Sequence, residues 1–145
     1  MKKDVMIFIK GSQNTDGQKD SIEMMTKGRY YRRNGNYYLS YEEMEEEDTE
    51  PTIRTLLKVE GNRCVTLTRS GKRHSQLIIE NGERHQCCYD NGFCDWVMGI
   101  QGTAIENGLE DNGGVLNFKY FMDINAMLAS ENEVNIVVKE CESHA

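Results

Sequence analysis

The stretch TIRTLLKVEGNRCVTLT, residues 52–68, decides the fold class, because two runs of alternating residues flank a Gly61-Asn62 turn signal. The positions that share one face of these runs are Ile53, Thr55, Leu57, Val59, Val65 and Leu67. Leu56 is an apolar exception on the opposite face. Alternation with period two and β-branched residues is typical of half-buried antiparallel strands. The stretch therefore predicts two antiparallel strands joined by a tight turn.

Similar turn signals recur along the chain, because Asn and Gly tolerate the positive φ that tight turns demand. They are Asn34-Gly35, Gly61-Asn62, Ser70-Gly71, Asn81-Gly82, Asn91-Gly92, Asn107-Gly108 and Asn112-Gly113-Gly114. Alternating apolar residues also occur within 5–9, 116–120 and 134–138. Turns at intervals of about ten residues predict a meander of about eight to ten strands.

We expect an all-β fold, an antiparallel up-and-down barrel formed by one domain over residues 1–145. Closing the sheet removes the two exposed edges that an open sheet of this size would leave. The best helical signal is Asp123–Glu131, where Ile124, Met127 and Leu128 have helical spacing. At most, this segment predicts one short helical turn near the C-terminus.

The composition argues against two classes of partner. The net charge is −7, so we expect neither nucleic-acid binding nor docking on an anionic membrane. The apolar run 5–9 is too short for a signal-peptide core or a spanning helix, which predicts a cytoplasmic protein. Five cysteines, an odd number, indicate free thiols in such a compartment.

Short pieces spread over nearly the whole chain resemble the YwiB-like family of uncharacterised bacterial proteins. They include Asp20-Ser21-Ile22-Glu23, Gly28-Arg29-Tyr30-Tyr31, Tyr38-Leu39-Ser40-Tyr41-Glu42-Glu43, Val65-Thr66-Leu67-Thr68-Arg69-Ser70-Gly71 and Asp123-Ile124-Asn125. The resemblance implies a calycin, or lipocalin-like, barrel. It supplies no catalytic residues, because the family's function is unassigned.

Several catalytic and metal motifs are incomplete in this sequence. His85, Cys87, Cys88 and Cys94 lie close together, but adjacent strand cysteines point to opposite faces and cannot both reach one zinc ion. A Cys–His nucleophile would lack an oxyanion loop. The acidic run 42–50 lacks the order of a calcium loop and offers no separated pair of acids. We expect no metal, no cofactor and no catalytic residue, and the sequence leans against an enzyme.

A ligand cavity is the first functional hypothesis, because eight strands can enclose one small ligand. Tyr and Met are numerous, and both can line pockets for apolar or mixed ligands. The predicted ligand-binding residues are Tyr30, Tyr41, Glu42, Arg69, His85, Met98 and Tyr120. The alternative is an interaction or scaffold barrel with a filled core. It could form a homodimer and would expose an apolar patch on an edge strand or near Phe93 and Trp96.

Overall fold

Ten β-strands make up the regular structure of the described residues. The computed structural model describes residues 2–43, 53–71, 75–88, 97–125 and 127–141. The strands are β1 (Lys3–Thr15), β2 (Gln18–Arg33), β3 (Asn36–Glu43), β4 (Ile53–Glu60), β5 (Cys64–Gly71), β6 (Ser75–Glu80), β7 (Arg84–Cys88), β8 (Val97–Glu110), β9 (Gly113–Ile124) and β10 (Met127–Glu140). Within these residues, no helix is long and apolar enough to cross a membrane.

The strands form one sheet in the order β6-β5-β4-β3-β2-β1-β10-β9-β8-β7. Each strand pairs antiparallel with its neighbours, and β1 joins β10 over ten residue pairs from Val5↔Glu140 to Asn14↔Glu131. The two ends of this order, β6 and β7, are consecutive in sequence and come together to nearly close the barrel. The predictions of an all-β fold and an up-and-down barrel are therefore confirmed, with ten strands.

A narrow seam closes the sheet between β6, β7 and β8. Asn81 forms a parallel bridge with Gly102, and the amide of Gly82 donates to the Gly102 carbonyl oxygen at 2.8 Å. A Cβ atom at position 102 would lie 2.6 Å from the Glu80 carbonyl oxygen. This approach requires glycine, so Gly102 is the residue that lets the hairpin close over β8.

The inner faces of the strands supply the core, as the alternation in the sequence predicts. On β4, Thr55, Leu57 and Val59 are buried, whereas Arg54 is exposed. The register continues this face across the sheet, since Leu57 pairs with Leu39 on one side and Leu67 on the other. The largest fully buried apolar residues are Tyr30, Ile7, Leu39, Leu57, Ile79, Ile100 and Leu116.

Tight connections close one end of the barrel, which we call the turn end. Its turns lie at 34–35, 61–63, 81–82 and 111–112. Side chains tie them together: the Tyr30 hydroxyl donates to the Glu110 carbonyl oxygen at 2.8 Å, and the Asn107 amide nitrogen Nδ2 donates to the Gly61 carbonyl oxygen at 3.1 Å. At the opposite, far end, β1 meets β2 through a turn at Asp16-Gly17.

Three local predictions are wrong. Ser70-Gly71 is not a turn but the end of β5, where its residues pair with Arg54 and Ile53. Asn107-Gly108 is not a turn but lies inside β8, where the Asn107 side chain and backbone bond to the turn between β4 and β5. The predicted helical turn at 123–131 is a hairpin: β9 ends at Ile124, Asn125 has a φ of 51°, and β10 begins at Met127. The predicted turn at 91–92 and the patch at Phe93 and Trp96 lie outside the described residues.

Tyr30 predicts a specific pH dependence of stability. Burial raises the pKa of its phenol above the ordinary value, helped by the nearby charges of Asp111 and Glu110. The neutral Tyr30 phenol stabilises the folded state fully below the unfolded-state pKa of about 10. This contribution is lost as the pH rises further, because the phenol then ionises in the unfolded chain before it does so in the folded one. Tyr30→Phe should cost about 1 kcal/mol of unfolding free energy at pH 8, through the lost hydrogen bond.

At pH 11 the difference between the wild type and Tyr30→Phe should shrink or reverse, because only the wild type has this phenol to ionise on unfolding. Urea unfolding at the two pH values measures both differences. If the wild type and Tyr30→Phe differed in unfolding free energy by the same amount at pH 8 and pH 11, the fold would not be holding the Tyr30 hydroxyl in its neutral form.

Candidate functional site

A cavity of about 520 Å³ lies inside the far half of the barrel. Binding sites for small molecules commonly measure about 300–1,000 Å³, so its size suits a small ligand. Its walls come from β1, β2, β3, β5, β6, β9 and β10. Its apolar lining is Ile9, Ile22, Leu67, Leu77, Ile79, Phe118, Val134 and Ile136, together with the tyrosine rings of Tyr41 and Tyr120.

The space exists partly because one inward position of β1 carries no side chain. Val5, Ile7 and Ile9 face inward, and Gly11 continues the same face opposite Ile22 and Val134. A Cβ atom at Gly11 would meet only the Ile22 side chain, at 3.3 Å, so the backbone leaves room here. Ile22 itself is 70% exposed and lies at the outer part of the cavity.

Three of the polar residues that line the cavity are Arg69, Tyr41 and Tyr120, and Gln13 and Asn132 add amide groups nearer its opening. Arginine remains protonated in proteins, so Arg69 brings a permanent positive charge to the wall. Burial raises the pKa of Tyr120, and the charge of Arg69 partly opposes this shift. The Arg69 guanidinium therefore lies within electrostatic reach of the Tyr120 hydroxyl, although the two strands stand on different walls.

A buried hydroxyl stands directly behind this polar group. Thr55 pairs with Tyr41 on one side and with Arg69 on the other, so the three side chains form one row on the inner face. Thr55 is fully buried, and its Oγ1 has no hydrogen-bond partner among the described residues. A buried polar atom without a partner is costly, so the Thr55 hydroxyl lowers stability at this point of the core.

One acidic side chain, Asp20 on β2, lies at the outer part of the cavity and is exposed. Glu133 borders the cavity on β10, but its carboxylate faces outward, next to the inward Val134, and accepts a hydrogen bond from Asn117 Nδ2 at 3.2 Å. Exposed charges are screened by water and salt, so the Asp20 carboxylate acts weakly within the cavity. The rim is therefore mildly acidic, while the one described lining cation stands deeper on β5.

Of the seven predicted ligand-binding residues, only Tyr41, Arg69 and Tyr120 line this cavity. Tyr30 lies in the core and bonds to the turn end. Glu42 faces outward and pairs with Arg54 at 3.2 Å. Including it in the interior was wrong, because it follows Tyr41 on a strand and adjacent side chains point to opposite faces.

His85 and Met98 stand on β7 and β8, away from the lining of the cavity. His85 Nε2 lies 2.9 Å from Glu80 Oε1, which gives this imidazole a structural partner at the seam. In the described part of the chain, no group of three or more His, Cys, Asp or Glu side chains is arranged to hold a metal ion. Cys94 and residues 44–50, which entered the metal hypotheses, lie outside the described ranges.

Sequence reasoning missed most of the cavity wall. Leu67 and Leu77 face each other across β5 and β6, and Gln13 and Asn132 pair across β1 and β10. The signal for the space itself was present at Gly11, where a glycine replaces the expected apolar residue in an alternating strand. An isolated strand glycine often marks a site where another group approaches closely.

Comparisons with known proteins give the family and the fold. A family model described as "Domain of unknown function (DUF1934)" matches residues 7–136. The chain is 23% identical over 120 residues to the "Uncharacterized beta-barrel protein YwiB" of Bacillus subtilis (strain 168), covering 83% of this chain and 82% of the relative. A crystal structure of ywiB protein from Bacillus subtilis gives a TM-score of 0.78 at 20% identity, covering 97% of this chain and 94% of that one. The resemblance to YwiB-like barrels is confirmed.

Proposed function

The chain belongs to the DUF1934 family, whose domain has no known function, and from its own cavity we propose that it binds one small ligand inside the barrel. The ligand has an apolar body and at least one polar group. The observation that carries this proposal is the convergence of Arg69, Tyr41 and Tyr120 on an otherwise mainly apolar cavity. Apolar walls with a few directed polar groups are typical of small-molecule sites.

A second observation supports binding over a purely structural role. The cavity of about 520 Å³ is open at its rim, where Asp20 and Ile22 are exposed, so its apolar wall is in contact with water. A guest that covers this wall removes apolar surface from water. It also stabilises the folded chain, because it binds the native state and not the unfolded one.

A side chain that fills the cavity should abolish binding while leaving the barrel folded. Gly11→Phe projects a ring into the space, and its nearest obstacle is the exposed, movable Ile22 side chain. Binding of the neutral fluorescent probe N-phenyl-1-naphthylamine measures occupancy. The wild type should bind about one equivalent, and Gly11→Phe should lose at least about tenfold in affinity, equivalent to about 1.4 kcal/mol.

Lys10→Phe is the matched control, because it adds the same ring to the neighbouring, outward position of β1. The substitution removes the ion pair between Lys10 Nζ and Glu23 Oε1, which is 4.0 Å long and exposed, so the loss in folding stability is small. A wild-type protein that fails to bind the probe would contradict an accessible cavity. Unfolding midpoints of all three proteins verify that any loss of binding reflects occupancy of the cavity and not unfolding.

Self-association is the second candidate, and one apolar row on the outer surface favours it. The register aligns Met25, Phe8, Val137 and Val115 across four neighbouring strands. Met25 is 63% exposed, Phe8 36% and Val115 45%. Contiguous exposed apolar surface of this kind is typical of interaction sites.

The row suits a second copy of the same chain, because a two-fold axis through it brings the same apolar side chains of two protomers together. Sedimentation of the wild type and of Phe8→Lys tests this candidate. A dimer that Phe8→Lys dissociates supports it, and a wild-type monomer at high concentration contradicts it.

A further inference from the structure

We propose that the ligand is an uncharged molecule whose apolar body lies along the Leu67–Leu77 wall and whose oxygen accepts a hydrogen bond from the Tyr120 hydroxyl. This inference rests on the proposed function and adds the chemical class of the ligand. It is carried by a difference among the three polar side chains that converge on the cavity, since two of them already interact within the protein and Tyr120 has a hydroxyl to offer.

Tyr120 is the member of this group whose hydroxyl is open to a ligand. Arg69 and Tyr41 each have an interaction within the protein. Tyr120 is half-buried on β9, where its ring stacks against that of Phe118 at 6.2 Å between the centroids. No residue in the described ranges forms a hydrogen bond with its hydroxyl. A polar group that is partly shielded from water and lacks a partner gains from a hydrogen bond, so the cavity recognises a polar atom here.

The surroundings of Tyr120 make its hydroxyl a hydrogen-bond donor. Burial raises the pKa of this phenol, because water is partly excluded around it and the ionised form is disfavoured. The neutral phenol keeps its hydrogen and donates it to an acceptor in the ligand. The fitting acceptor is an oxygen atom, such as that of an alcohol, a ketone or an ester.

An uncharged ligand suits this place better than an ion. The positive charge of Arg69 opposes the upward shift in the pKa of Tyr120, so a cation beside this hydroxyl lies within reach of that charge and is repelled. An anion would have to share Arg69 with the interaction that this residue already makes within the protein. It would also lose its hydration without a charge reserved for it. A neutral oxygen loses less hydration and gains the hydrogen bond from Tyr120.

The apolar body has a defined place and size. Leu67 pairs with Leu77 on the inner face, and Ile79, Phe118 and Ile136 continue the apolar lining of the cavity. A chain of about ten methylene groups occupies roughly 300 Å³ if each takes the share of one water molecule in the liquid. Such a chain and one oxygen fit within the cavity of about 520 Å³. Decan-1-ol is therefore a suitable probe of the inference.

The first experiment compares competitors on the full chain by displacement of N-phenyl-1-naphthylamine at neutral pH. Decan-1-ol, decanoate and decylamine share the same carbon chain and differ in the charge of the head group. Decan-1-ol should bind the wild type at least about tenfold more tightly than either ion, because each ion loses hydration without a partner of its own. Equal or tighter binding of decanoate or decylamine would overturn the inference yet leave the proposed function standing. This series needs no variant.

Tyr120→Phe tests the hydrogen bond itself, because it removes the oxygen and keeps the ring. Tyr38→Phe is its matched control, since Tyr38 lies on the outer face of β3, next to the buried Leu39. Tyr120→Phe should weaken binding of decan-1-ol by about threefold to tenfold and leave the probe, which carries no oxygen, unaffected, whereas Tyr38→Phe should change neither. Unchanged affinity of Tyr120→Phe for decan-1-ol, in protein that urea unfolding shows to be folded, would overturn the inference alone. Failure of the probe to bind the wild type would overturn the proposed function as well.

Discussion

Replacing Gly102 with valine is expected to lower the free energy of unfolding by about 3 kcal/mol or more. A Cβ atom at this position would meet the Glu80 carbonyl oxygen at 2.6 Å and the Asn81 nitrogen at 3.1 Å. Both contacts are with backbone, so no side-chain rotation relieves them. The hairpin between β6 and β7 must then move away from β8 and open the seam.

Gln101→Val is the control for this prediction, because it places the same β-branched side chain on the adjacent, exposed position of β8. It should change the unfolding free energy by less than about 0.5 kcal/mol. Urea unfolding of the three proteins gives both values. Equal stability of Gly102→Val and the wild type would mean that β6 does not close against β8 as described.

Leu57→Ala is expected to lower the free energy of unfolding by about 2–5 kcal/mol, the range measured for buried leucines that leave a cavity. Leu57 is 1% exposed and stands between Leu39 and Leu67 on the inner face. Truncation removes contacts on both sides of β4, and the neighbouring strands are held by their own backbone pairing. The surrounding core therefore cannot collapse fully into the space.

Leu56→Ala makes the same chemical change one residue earlier on β4. Leu56 faces outward between Ser40 and Thr68, so its loss should cost less than about 1 kcal/mol. The pair tests the strand register directly, since a slip by one residue exchanges the two faces. Urea unfolding that gave the larger loss for Leu56→Ala would place the core on the opposite face of β4.

The alternation of neighbouring residues was sufficient to predict most strands. It was not sufficient to predict turns, because some of these depend on contacts with residues far along the chain. Residues 52–68 form the hairpin that their alternation predicts, because the turn and both strands lie within one short stretch. Asn107-Gly108 has the same turn chemistry, yet it lies inside a strand. Its Asn107 side chain instead bonds to Gly61, 46 residues away, a contact that no local pattern contains.

The prediction of a helical turn at residues 123–131 failed for a related reason. Ile124, Met127 and Leu128 have helical spacing, but short apolar runs fit a helix or a strand equally well. β10 pairs with β9 at twelve positions, and the pairs that hold this segment in the sheet are Met127↔Ile124, Leu128↔Asp123, Ser130↔Met122 and Glu131↔Phe121. The positive φ of Asn125 then allows a tight hairpin at the point where a helix was expected.

The sequence predicted the types of residue that line the candidate site, but it identified only some of the lining residues themselves. Tyr41, Arg69 and Tyr120 follow from strand alternation, and Glu42 could have been excluded by its position next to Tyr41. The size and shape of the cavity were not predictable, because they depend on how side chains from opposite walls fill one volume. Gly11 on β1 and the leucines of β5 and β6 set that volume together.

The central claim is that the space beside Arg69 is a binding site, and one ratio tests it most directly. This is the dissociation constant of N-phenyl-1-naphthylamine for Gly11→Phe divided by that for Lys10→Phe, both measured on folded protein. We predict a ratio of at least about ten, because only the inward ring occupies the cavity. A ratio near one would contradict the claim, since the probe would then bind outside the barrel.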